Sequence, residues 1–122
     1  MNFYDCLRRF KLLSGLEGEE LSRFSELCHD AAAELRASLA VPEQSLTEAE
    51  SLRLSYAAGA LAYYKYCLYL LSSEPETFEA GEVKVINKDK KSDGARKLFE
   101  AECRGLRGVL RDREFYFGRV KS

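Results

Sequence analysis

Apolar residues recur every three or four positions along much of the chain, which is the signature of helices with one buried face. Phe3, Cys6, Leu7, Phe10 and Leu13 mark a short amphipathic helix over residues 2–13, broken by glycines at 15 and 18. Leu21, Phe24, Leu27, Cys28, Ala31, Leu35 and Leu39 mark a second, from about Glu19 to Leu39. Glu19 and Glu20 suit the positive end of its dipole. Pro42 ends it, because proline lacks a donor and restricts the residue before it. A last stripe runs through Ala95, Leu98, Phe99, Cys103, Leu106, Val109 and Leu110, with Ser92 or Asp93 as the cap.

Between these lies a helix with no polar face. "TEAE", residues 47–50, is a capping box in which Thr47 and Glu50 satisfy each other's backbone donors. The run that follows, "LRLSYAAGALAYYKYCLYLL", is apolar or aromatic nearly all round. Such a helix is the centre of a bundle, or it also packs against another chain. Ala57, Ala58, Gly59, Ala60 and Ala62 permit close approach of a neighbour. Tyr56, Tyr63, Tyr66 and Tyr69 are candidate subunit-interface residues.

One stretch departs from helical periodicity. In "FEAGEVKVINKDKKSDGARKLFEAE", Val83 and Val85 alternate with Glu82, Lys84 and Ile86 as in a strand. Residues 80–91 are expected to protrude as a β-like finger, with Val83, Lys84, Val85, Ile86 and Lys88 as its candidate inter-subunit residues. The fold class is therefore all-α: a small bundle of about four helices with a short β-like finger before the last one. At 122 residues it is one domain.

Net charge is −1, but its distribution is uneven. Residues 1–81 hold 7 Lys/Arg and 13 Asp/Glu, whereas residues 82–122 hold 12 and 7. That asymmetry suits head-to-tail contact between copies or an acidic partner; charges scattered over solvated faces also produce it.

The residues that could carry chemistry do not assemble into a motif. Cys6, Cys28, Cys67 and Cys103 are far apart in sequence, and His29 is the one histidine. Adjacent Cys28 and His29 would point about 100° apart on a helix and chelate poorly. Buried free thiols in a reducing compartment are expected, with no metal and no cofactor. The glutamates sit at helix starts and in a turn, and no glycine-rich phosphate loop is present, so no catalytic residue is assigned. The N-terminus carries Asp5, Arg8, Arg9 and Lys11 among its apolar residues, so no secretory leader is expected. Arg53 and Lys65 interrupt the longest apolar stretch, so no membrane span is expected either.

Two basic features need a partner or a bland explanation. Arg104, Arg107 and Arg111 could track a polyanion, or pair locally with Glu100, Glu102 and Glu114. The C-terminal "DREFYFGRVKS" either covers the core or projects as an aromatic-plus-arginine anchor.

The order of elements resembles the small head–tail connector (adaptor, or head-completion) proteins of tailed bacteriophages and prophages. The resemblance rests on "FEAGEVKV" placed directly after "AYYKYCLYLL" and before "GARKLFEAE", and it spans nearly the whole chain. It implies a structural, non-enzymatic subunit in a homo-oligomeric ring, usually dodecameric, at the virion neck. Such a ring assembles in the bacterial host cytoplasm, binds the portal protein and the next neck protein, and extends the DNA channel. By position, residues 113–122 become the portal-docking tail, with Arg113, Phe115, Tyr116, Phe117 and Arg119 as candidates. The 80–91 finger becomes a lumen or inter-subunit element; its Lys84, Lys88, Lys90 and Lys91 leave open whether it meets DNA or a neighbouring subunit. The alternative is a small helical nucleic-acid-binding or regulatory protein that uses the basic last helix.

Overall fold

In the computed structural model, the backbone of residues 1–72 and 81–111 is described, and the side chains of 1–72 and 91–111. These residues form four α-helices: α1 (Phe3–Ser14), α2 (Gly18–Ala37), α3 (Glu48–Ser72) and α4 (Gly81–Arg104), with a short 3₁₀ turn at Glu43–Ser45. No strand occurs among the described residues. The architecture is an all-α bundle.

The helix ends follow from local chemistry. Asn2 caps α1 by accepting from the Tyr4 N–H at 2.8 Å. Gly15, at φ 76°, ends α1 in the left-handed conformation and donates its N–H to the Lys11 carbonyl. The capping box at α3 is formed. Thr47 N–H donates to Glu50 Oε1 at 2.9 Å, and Glu50 N–H donates to Thr47 Oγ1 at 3.1 Å.

α3 is the centre and packs against each of the other three helices. Its residues Leu54, Ser55, Ala57, Ala58, Gly59, Ala60, Leu61, Ala62, Tyr64 and Cys67 are buried. α1 runs parallel to it: Asn2 N–H reaches Ser55 Oγ at 2.9 Å, and the Phe10 ring meets Tyr66 edge-on at 6.0 Å. α2 and α4 run the other way, with Phe24 against both Tyr66 and Tyr69, and Glu102 against Arg53. Phe10, Leu35, Leu54, Phe99 and Leu106 have at most 1% exposure and anchor the core. Each such side chain removes enough apolar surface from water to stabilise the fold by about 1.5–3 kcal/mol.

The last helix corrects the strand-like reading of the finger. α4 begins at Gly81 rather than at Ser92 or Asp93, so Val83, Lys84, Val85, Ile86 and Lys88 lie on a helical backbone. Two alternating valines are a weak strand signal, and no partner strand is present among the described residues to make a ladder. Between Gly81 and Gly94 there is no glycine or proline, so nothing stops a helix seeded by the packed turns at Ala95 and Phe99 from extending backwards.

The other end of α4 is also shorter than its apolar stripe. The helix stops at Arg104, and the chain turns through Gly105 and Gly108, the latter at φ 87°. Leu106, Val109 and Leu110 are still buried, but in turns. Leu110 forms an isolated antiparallel bridge with Leu39. Ala40 N–H donates to the Val109 carbonyl and Arg111 N–H to the Ser38 carbonyl, each at 2.8 Å. That bridge takes up backbone groups at residues 38–40, which is why α2 ends at Ala37 and not at Leu39.

Candidate interaction surfaces

The four tyrosines proposed as an interface are spread around α3 and none is fully buried. Tyr56 and Tyr63 are half-buried, and the Arg9 guanidinium carbon of α1 sits 3.9 Å from the Tyr56 ring centroid. Tyr66 packs edge-on to Phe24 at 4.8 Å. Tyr69 is the most open of the four at 40% exposure, and its hydroxyl accepts from Arg23 Nη2 at 3.3 Å. Tyr64, which was not among the candidates, is buried at 7% exposure. The structure therefore brings Tyr66 and Tyr69 together over Phe24, with Tyr63 one turn before Tyr66 and close enough to be influenced by its phenol, and places Tyr56 against Arg9 of α1.

Burial dominates the ionisable groups near α3. It pushes the Tyr63 phenol up to about 12, with the Cys67 thiol adding to the effect. It raises Tyr66 and Cys67 as well. The Cys28 thiol is raised first by its hydrogen bond with the Cys6 thiol and then by burial. Burial, and then the neighbouring Glu100 and Glu102, push Cys103 up to about 12. All four cysteines are free thiols, three of them buried. None of these three shifted thiols, Cys28, Cys67 and Cys103, moves toward the thiolate that nucleophilic or metal-binding chemistry needs. Among the described residues, no group of three or more His, Cys, Asp or Glu side chains is placed to hold a metal ion. His29 is instead stacked on Phe3, with ring centroids 4.1 Å apart.

The basic residues of the last helix find partners only in part. Arg96 and Lys97 both pair with Asp93, at 3.2 and 3.4 Å. Glu102 is taken by Arg53 of α3, not by a neighbour on its own helix. Arg111 Nη1 donates to the Ala37 carbonyl at 3.1 Å. Arg104 and Arg107 are exposed.

Apolar exposure appears where the sequence stripes did not place it. Leu98, which the stripe assigned to the core, is 44% exposed; the face of α4 toward α3 is the narrower row of Ser92, Ala95 and Phe99. Tyr4 at 64% and Leu12 at 71% exposure stand on the outer side of α1. Their signal was in the sequence: two large apolar residues eight apart, opposite the Cys6 and Phe10 stripe.

The candidate tail residues Arg113, Phe115, Tyr116, Phe117 and Arg119 lie outside the described residues, as do the side chains of the candidate finger. No helix among the described residues is long and apolar enough to cross a membrane. No family model, curated protein or solved structure matches the chain.

Proposed function

We propose that this chain is a structural subunit of a ring that joins the portal of a tailed bacteriophage to its tail and extends the DNA channel. The observation that carries the reading is the order and packing of the helices. A short helix, a long helix and a long Ala/Tyr-rich helix are followed by a basic helix, and all pack on the third. The resemblance to head–tail connectors rests on that order of elements and implies a helical bundle. In this reading the partners are further copies of the chain, the portal protein and the next neck protein, with DNA passing through the channel and the virion neck as the location.

The test is to mix the purified chain with portal rings from the same genome and image the product by electron microscopy. A second ring stacked on the portal is the expected result. A chain that ignores the portal but binds duplex DNA as a monomer, with steep salt dependence, overturns the reading in favour of a nucleic-acid-binding protein.

A further inference from the structure

Two exposed helix faces of this bundle carry opposite charge. On α2, Glu19, Glu26 and Asp30 lie seven and then four residues apart, so they share one face, and all three are exposed. None makes an ion pair among the described residues; the exposed Arg23 stands beside them and pairs with Glu20, and Glu34 on the flank pairs with Lys65. Toward the helix end the same face continues as the exposed small residues Ala33 and Ala37.

On α4, Lys97, Ala101 and Arg104 form the corresponding exposed row, with Arg107 just beyond it. Lys97 is 71% exposed and shares Asp93 with Arg96; Arg104 and Arg107 make no ion pair among the described residues. Leu98, 44% exposed, and the exposed Gly94 lie alongside. This face combines cations, small residues and one large apolar side chain, with the exposed Asp93 and the half-buried Glu100 as its acids.

We infer that the acidic outer face of α2 on one copy docks on the basic outer face of α4 on the next copy. The argument for a second copy is complementarity: a polyanion would use the α4 face and leave the α2 face without a role, but another copy satisfies both. α2 and α4 both run antiparallel to α3, so they point the same way along the bundle. Copies sharing one axis direction therefore meet with these helices parallel. The small residues Ala33 and Ala37 on one face and Gly94 and Ala101 on the other keep both surfaces low beside the charges, and Leu98 provides apolar area. Because the two faces belong to different helices, each contact consumes one of each and leaves one of each free. Such a heterologous contact repeats, and it ends when the rotation between copies closes a ring. The inference rests on the proposed ring role only in taking a second copy as the partner.

Sedimentation velocity on charge-reversed chains tests it. One variant carries Glu26→Lys and Asp30→Lys; the other carries Lys97→Glu and Arg104→Glu. All four positions are exposed, and circular dichroism verifies that each variant folds. The wild-type chain is expected to self-associate and to do so less in high salt. Each variant alone places like charges at the contact and loses about tenfold or more in association. An equal mixture of the two regains it, because copies then alternate with complementary faces. A monomeric wild type, variants that associate like the wild type, or a mixture that stays dissociated overturns the inference. Portal binding is read separately. Association that follows the charge pattern without portal engagement removes the neck role and leaves this interface standing.

Discussion

The α1 backbone crosses α3 so closely that a Cβ placed on Gly59 would lie 2.8 Å from the Cys6 carbonyl oxygen and 2.7 Å from Arg9 Cβ. Both obstacles sit on or beside the backbone of α1, so neither can swing aside as the end of a flexible side chain would. Gly59 weakens α3 by roughly 1 kcal/mol relative to alanine, and the close crossing offsets that cost. Gly59→Ala is expected to push α1 outward and destabilise the fold by about 1–2 kcal/mol despite the better helix propensity. Thermal unfolding checks this; a raised melting temperature would show that α1 can shift without penalty.

The α3 capping box predicts a separate effect. Thr47→Ala removes the acceptor for Glu50 N–H and is expected to cost about 1 kcal/mol. The loss should appear as a lower urea midpoint with the slope unchanged, since the surface exposed on unfolding stays the same.

Glu43 links the N-terminus to α2. Its carboxylate meets the Met1 ammonium at 2.6 Å and Arg36 Nε at 3.1 Å. The ammonium hydrogen bond, ahead of the Arg36 charge, holds the carboxyl below its ordinary value. A carboxyl lowered in the folded state stabilises the fold above its unfolded pKa. That contribution is lost as pH falls through the folded value. Glu43→Gln is expected to cost less than about 1 kcal/mol at neutral pH, because the pair is partly solvated. It should also flatten the acid limb of a stability–pH curve; an unchanged acid limb would assign that limb to other carboxylates.

The thiols give an alkaline counterpart. Cys28, Cys67 and Cys103 are all raised in the folded state. Unfolded thiols ionise at lower pH than these folded ones, so stability should decline as pH rises past the ordinary thiol range. In native conditions near pH 8 these three should react slowly with a thiol-specific reagent and rapidly after denaturation. Fast native labelling of Cys28 would contradict the burial that raises it.

Much of this fold was readable where one face of a helix is polar. The stripes of Phe3 to Leu13 and Leu21 to Leu39 fixed α1 and α2 to within a residue or two at most of their ends, because solvent contrast defines a face. "TEAE" fixed the start of α3 through a hydrogen-bond geometry that only those residue types make. The strand-like reading of 82–86 went astray because it weighed β-branched alternation alone. In the folded chain, continuity with the packed turn at Ala95 and Phe99 decides that backbone. Leu98 was assigned inward because it is apolar, yet the row of Ser92, Ala95 and Phe99 already fills the contact with α3 and leaves it outside. The acidic and basic faces were visible in the sequence only as an imbalance between two halves. Helical phase was needed to sort Glu19, Glu26 and Asp30 from the paired acids beside them.

The bridge between Leu39 and Leu110 bears on the order in which the molecule assembles. Arg111 meets the Ala37 carbonyl across 74 positions of sequence. Closing so long a loop costs chain entropy that no neighbouring turn returns. The helical hairpin of α1 and α2 and the docking of α3 involve shorter separations and can form first, whereas this pairing must wait until α4 has aligned on α3. The amides of Ala40 and Arg111 therefore time the last event of folding: in a pulse-labelling experiment they are expected to gain protection after those of Gly15 and Glu50.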